Sequence, residues 1–182
     1  AEGANTLGGA VHVVYGGELA PTGSEWTWSP GLPGAETGFA VLGTGDLDGD
    51  GFADLLVGAP GRSGAVPSHG AAYLFAGGLG GLSTNPAWGA QPSTGNGRFG
   101  QTLANVGELD GDGIPDIVIG APMHDPGDLE GAGKASLYGG TGVPPGLPFA
   151  AEWDFVGDLR GQAVGSSAVA GDVDGDGSPD LL

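Results

Sequence analysis

Three short stretches of this 182-residue chain set carboxylates on alternate positions and then add one more four residues on. The first holds Asp46, Asp48, Asp50 and Asp54; the second Glu108, Asp110, Asp112 and Asp116; the third Asp172, Asp174, Asp176 and Asp180. Each follows the pattern D/E-x-D-x-D-G-x-x-D, with glycine at loop position 6 (Gly51, Gly113, Gly177) permitting a sharp turn. That turn lets the position-7 carbonyl, from Phe52, Ile114 or Ser178, face the carboxylates. Such a loop offers oxygen ligands only, from a flexible backbone. This suits Ca²⁺, which takes six to eight oxygens, better than Mg²⁺ with its strict octahedron. With no cysteine in the chain and no suitably spaced histidine, soft-ligand metals are disfavoured. The expectation is about three Ca²⁺ per chain. Glu108, one methylene longer than aspartate at position 1, predicts altered geometry or affinity in the second loop.

Aspartate and glycine are also ordinary turn residues, so one such loop alone could be a solvated turn. Three copies in register argue for ligation instead. The residues on the C-terminal side of the loop argue against a helix-flanked calcium loop of the EF-hand or dockerin kind. Position 12 is Val57 or Ile119, inside an apolar run that reads as a strand and ends in Gly-Ala-Pro.

The loops are 62 and 64 residues apart, and their surroundings repeat with them. Trp26, Trp88 and Trp153 recur, as do double glycines beginning at Gly16, Gly77 and Gly139. Each unit reads as four short strands. One precedes the loop (Phe39 to Gly43, Phe99 to Leu103, Val164 to Ala168) and one follows it (Leu55 to Val57, Ile117 to Ile119). A third leads to the double glycine (Val11 to Tyr15, Ala71 to Ala76, Ala135 to Tyr138), and a fourth surrounds each tryptophan. Glycine fills 42 positions and proline 14, so long helices have no room, while 39% hydrophobic residues leave enough apolar surface for a core. The fold class expected is all-β, with β-propeller-type blades of four short antiparallel strands. A β-sandwich would not repeat every 62 residues. The tryptophans, at matching positions, are expected to pack between blades.

The sequence resembles the FG-GAP repeats of the integrin α-subunit propeller and of many bacterial secreted proteins. The resemblance is carried by Phe99-Gly100, the loop Glu108 to Asp116, and Gly120-Ala121-Pro122, in that order. The first copy has Phe39-Ala40 and Gly58-Ala59-Pro60; the third has Val164-Gly165 and its loop. The resemblance implies a calcium-stabilised propeller, usually seven-bladed and extracellular, and does not by itself imply integrin-like ligand recognition.

On this reading residues 1–37 hold the C-terminal strands of a split blade, and 38–97 a complete blade with its loop at 46–54. Residues 98–161 form a second complete blade with loop 108–116, and 162–182 the first half of a further blade with loop 172–180. The two halves are complementary. They are expected to be completed by a neighbouring chain through strand addition, as a ring or filament, or by adjoining blades of a longer propeller.

The function expected is that of a calcium-binding extracellular structural or adhesive repeat protein. The alternative is a carbohydrate- or protein-binding propeller domain of a larger secreted protein. A net charge of −18, with four scattered cations at Arg62, Arg98, Lys134 and Arg160, gives no basic patch for nucleic acid or anionic membrane. No run of 18 apolar residues predicts membrane insertion, and no leader opens the chain, so a signal peptide is expected to be absent or already removed. No catalytic constellation emerges. His12, His69 and His124 read as strand or turn residues, and Ser166-Ser167 lacks a nucleophile elbow. Most of the acids belong to the loops, where a bound cation would hold them ionised and make them poor general acids.

Overall fold

A computed structural model describes residues 8–16, 25–64, 68–92, 97–177 and 179–182. The described elements are all strands, in four antiparallel sheets. Two are four-stranded meanders: β3 (Val41–Gly45), β4 (Asp54–Gly58), β5 (Ala72–Phe75) and β6 (Trp88–Ala90), then β7 (Thr102–Gly107), β8 (Asp116–Ala121), β9 (Lys134–Tyr138) and β10 (Trp153–Val156). Two are two-stranded: β1 (Val11–Val14) with β2 (Glu25–Trp28), and β11 (Ala170–Gly171) with β12 (Asp180–Leu181). These are propeller-type blades, as the strand pattern predicts.

Matching strands pair in matching register. Leu55 faces Phe75 as Ile117 faces Tyr138, and a bulge interrupts the ladder between Gly43 and Gly45 and again between Asn105 and Gly107. Each bulge sits where the strand turns into its acidic loop. The inner strands read as continuous apolar runs, without polar alternation, because both faces are covered. In β4, Leu56 points into one cluster, with Trp88, Phe99, Ile117, Ile119 and Leu147. Val57 points into another, with Val11, Trp26 and Phe75. One apolar core therefore lies between the two four-stranded sheets, and a second between the β1–β2 hairpin and the first of them.

Two of the tryptophans tie these sheets together. Trp26 meets Phe75 edge-on at 4.8 Å and donates its indole N–H to the Ser83 carbonyl at 3.0 Å. Trp88 meets Tyr138 at 5.4 Å and donates to Pro148 at 2.8 Å. Both thus pack between units. Trp153, in the same position of the next unit, is 48% exposed and stacks only on Phe155 among the described residues.

A repeated backbone contact sets the spacing of the sheets. Isolated parallel bridges join Gly9 to Thr37, Gly70 to Phe99 and Gly133 to Val164. The N–H groups of Thr37, Phe99 and Val164 donate to the carbonyls of Gly8, His69 and Ala132. The residue before each, Glu36, Arg98 or Ala163, holds a positive φ of 55–56°. This register corrects two sequence expectations. In the first unit the place of Phe99-Gly100 is taken by Thr37-Gly38, not by Phe39-Ala40: Phe99 is buried while Phe39 is 57% exposed. The pre-loop strands also begin later than expected, at Val41, Thr102 and Ala170, because the preceding residues are spent on the inter-sheet turn.

At this turn the glycine of Gly-Ala-Pro meets the glycine of the next unit's motif. A Cβ on Gly58 would lie 2.0 Å from the Gly100 carbonyl oxygen, and one on Gly120 would lie 2.0 Å from that of Gly165. Gly58→Ala is therefore expected to destabilise the fold by about 2–4 kcal/mol, because backbone must move apart to admit the methyl. Gly80→Ala, where a Cβ meets nothing within 4 Å, is expected to stay within about 0.5 kcal/mol of wild type. Urea unfolding of the two variants checks the contrast.

Candidate metal centres

The three acidic loops connect β3 to β4, β7 to β8 and β11 to β12. Each is organised by its own aspartates. The position-1 carboxylate draws the loop around itself: Asp46 accepts N–H groups from Gly49 (2.7 Å), Asp50 (3.1 Å) and Gly51 (2.8 Å). Asp172 does the same with Gly175 (2.7 Å) and Gly177 (3.0 Å). The longer Glu108 accepts from Gly111, with no further N–H donor to it among the described residues. Position 3 accepts from position 5 in every copy: Asp48 from Asp50, Asp110 from Asp112 and Asp174 from Asp176, at 3.0–3.2 Å. Position 5 accepts from position 7, at 2.8 Å from Phe52 to Asp50 and 2.7 Å from Ile114 to Asp112. Ser178 lies outside the described residues.

Position 9 has a different task. Asp54 is buried and accepts from Leu47 N–H at 2.9 Å and from Gly77 N–H at 2.8 Å. Asp116 repeats both bonds, from Leu109 (2.6 Å) and Gly140 (3.2 Å). This carboxylate knots the loop's start to the end of the third strand. It also gives the double glycines a role that their recurrence signals but does not explain. A Cβ on Gly77 would lie 2.4 Å from the Ala53 carbonyl oxygen, and one on Gly140 would lie 2.5 Å from that of Pro115. The structural equivalent of Gly77 is thus the second glycine of Gly139-Gly140, one residue beyond the sequence alignment. Asp180 accepts from Val173 at 2.9 Å and has no glycine partner of this kind among the described residues.

The loops bring carboxylate oxygens together. Asp46, Asp48 and Asp50 each place one within 4.8 Å of the others, as do Glu108, Asp110 and Asp116, and Asp172, Asp174 and Asp180. The expected ligands Asp54, Asp112 and Asp176 are not in these tightest groups. Two like charges at such a distance repel by about 1 kcal/mol in bulk water and about 3–4 kcal/mol at an effective dielectric of about 20. A divalent cation among them reverses the sign of that interaction. The donor set is hard oxygen throughout and fits such a cation. Asp54 and Asp116 keep lone pairs beyond those used by their N–H partners.

No other cluster of acids and histidines able to hold a metal occurs among the described residues. His12 is exposed and bonded to Thr27 Oγ1 at 2.9 Å; burial lowers the pKa of His124, with Lys134 adding to the effect. The Tyr138 phenol is pushed up to about 12, chiefly by burial. The surroundings of His124 and Tyr138 are packing environments.

Comparison with known proteins finds the FG-GAP repeat in residues 38–75 and 99–138. Integrin alpha-4 of Xenopus laevis is 35% identical over 155 residues, which cover 78% of this chain and 14% of that protein. Phosphatidylinositol-glycan-specific phospholipase D of Homo sapiens is 35% identical over 169 residues, 83% of this chain and 19% of that protein. Integrin alpha-5 of Xenopus laevis is 31% identical over 188 residues, 98% of this chain and 17% of that protein. The chain thus spans less than a fifth of the length of each of these relatives.

Without a cation the loops carry a pH signature. Burial raises the pKa of Asp48, Asp54 and Asp116, neighbouring loop carboxylates push the same way, and backbone donors oppose both. An acid whose folded pKa exceeds its unfolded value is protonated more readily in the folded chain. Its contribution to stability is complete below the unfolded value, about pH 4, and is lost as pH rises through the raised one. In chelator, the urea midpoint is expected to be higher at pH 5 than at pH 7. An equal or lower midpoint at pH 5 would show that the N–H donors outweigh burial.

Proposed function

The chain belongs to the FG-GAP repeat family, and from that premise we propose that it is a calcium-binding structural or adhesive module working outside the cell. The observation that carries this reading is the threefold recurrence of one oxygen-donor loop in one structural position. A Ca²⁺ in each loop would take Asp46, Asp48, Asp50, the Phe52 carbonyl and Asp54, with their counterparts in the other two. The ion's role there is electrostatic: it offsets the mutual repulsion of each cluster, and three ions bring the formal charge from −18 to −12. Calcium at extracellular, millimolar concentration fills even weak sites of this class. No step of covalent chemistry is assigned to the chain.

The two-stranded sheets fit this role as halves of a blade. β1–β2 bears the same bridge to its neighbour as the third strand of a full sheet does, and β11–β12 stands where the first two strands stand. Completion by a neighbouring chain, or by further blades of a longer propeller, would set Val14 opposite Leu181, as Phe75 stands opposite Leu55. The match to a protein named as a phospholipase favours a second reading: a non-catalytic propeller that binds protein or glycan within a larger secreted protein.

Calorimetric titration of the metal-stripped chain tests the calcium reading. About three Ca²⁺ are expected to bind, and saturation at a hundredfold over Kd is expected to stabilise by about 2.7 kcal/mol per site. Absence of both heat and stabilisation at millimolar calcium would overturn it. Completion is tested by Val13→Cys with Leu182→Cys in this cysteine-free chain, at positions matching the Leu74–Leu56 pair. Disulfide-linked multimers that need calcium support the neighbouring chain. Stable monomers at high concentration with calcium support further blades.

A further inference from the structure

The first acidic loop differs from the other two in what lies against it. Its position-2 residue, Leu47, is fully buried, whereas the equivalent Leu109 is half-buried and Val173 is 64% exposed. The cover on Leu47 comes from the next unit, from the segment 141–147 between β9 and β10. The Gly142 N–H donates to the Leu47 carbonyl at 3.0 Å, and Leu147, itself buried, packs in the same cluster as Leu47. The approach is close. A Cβ on Gly49, inside the loop, would lie 2.5 Å from the Gly142 carbonyl oxygen, and one on Gly146 would lie 3.1 Å from the Leu47 Cβ.

The segment is held in shape from both sides. Thr141 N–H donates to the Gly146 carbonyl at 3.1 Å, and Thr141 Oγ1 donates to the Val143 carbonyl at 2.7 Å. Just beyond, the Pro148 carbonyl accepts the indole N–H of Trp88, from the unit that owns the loop. Leu47 stands between Asp46 and Asp48, so whatever fixes its backbone fixes the two carboxylates beside it.

We infer that segment 141–147 is an inter-unit latch that preorganises the first acidic loop for its cation, with Leu147 and Gly142 as positioning residues. The inference rests on the calcium reading of the loops. A loop already held in its liganded shape loses less freedom on binding, so affinity rises without any new ligand. The second and third loops have no such cover among the described residues and bind more weakly in this chain. Linkage makes the effect reciprocal: calcium in the first loop tightens the latch and stiffens the joint between the two four-stranded sheets. The cation in one blade thereby reports on the seating of the next.

Backbone NMR of the metal-stripped chain during a calcium titration separates the sites, because Gly51, Gly113 and Gly177 each mark position 6 of one loop. Gly51 is expected to reach its midpoint at about tenfold lower calcium than the other two, a typical coupling between sites. Leu147→Ala is expected to move the Gly51 midpoint up by about the same factor while Gly113 and Gly177 stay in place. Leu82→Ala, in the matching position of the preceding unit, is expected to leave all three unchanged; Trp26 donates to Ser83 just after it as Trp88 donates to Pro148. Loss of the Thr141 Oγ1 bond that shapes the segment, in Thr141→Val, should move Gly51 in the same direction by less, which keeps the test open if Leu147→Ala fails to fold. The latch is overturned if the three glycines titrate together in the wild-type chain, or if neither latch variant shifts Gly51. No response from any of them overturns the calcium reading itself.

Discussion

The molecule depends on a close approach of backbone to backbone, repeated at each junction between sheets. Where Gly58 meets Gly100, and Gly120 meets Gly165, no Cβ fits on one side. Hydrogen bonds from Thr37, Phe99 and Val164 to the preceding unit fix the separation. That separation decides which side chains can fill the gap. At Trp88 the gap takes an indole between two sheets and places its N–H on a carbonyl of the following unit. Shape and polarity are then satisfied by one residue, so the buried indole leaves no unpaired donor. Dispersion and hydrophobic burial hold the units together, but the glycine contact determines the distance at which they do so.

The aspartates at position 9 bind the chemistry to this frame. Asp54 and Asp116 sit at the first residue of their strands, buried, each bridging the loop to a glycine just past the end of the third strand, Gly77 or Gly140. An ionised carboxylate there costs desolvation, which two N–H donors only partly offset. The exposed part of each loop has the opposite character: carboxylates in water, close enough to repel, shaped by turns through their own N–H groups. One loop therefore contains a carboxylate that suffers from being dry and others that suffer from being near one another. A cation at the loop would relieve both at once, and its binding would then be tied to the strand arrangement rather than to the loop alone.

Much of this was legible in the sequence wherever the requirement is local. Alternating aspartates and the position-6 glycine are demands of a nine-residue loop, so their pattern places each acidic loop between two strands without reference to the rest of the chain. The strand after the loop follows from an apolar run with turn residues at its ends, whereas the strand before it starts two to six residues later than its run, at Val41, Thr102 and Ala170. What escaped is what spans two units. Phe39 draws the alignment away from Thr37-Gly38, because an aromatic followed by a small residue is the conspicuous sign. The structure asks for something else there: a backbone N–H aimed at the preceding unit, and a glycine after it with φ near 84°. Threonine, phenylalanine and valine all serve before that glycine. The displaced Phe39 lies at the surface under the Arg98 guanidinium, 5.7 Å away, in a contact that a neighbouring unit creates.

The double glycine shows why recurrence and role are different kinds of information. Its repeat is visible at once, yet the member that closes on the loop shifts by one residue between Gly77 and Gly140, because only the backbone N–H facing the position-9 carboxylate matters. Segment 141–147 goes further, since it has no sequence signature at all. Its effect on Leu47 arises from a neighbour about a hundred residues away along the chain, reached only after two sheets have stacked. Units that look equivalent when read along the sequence thus become inequivalent in the fold, graded by how many neighbours enclose them. In a stacked repeat the carboxylates of a loop can be written within the loop, but what packs against it, as segment 141–147 packs against Leu47, comes from another unit of the chain.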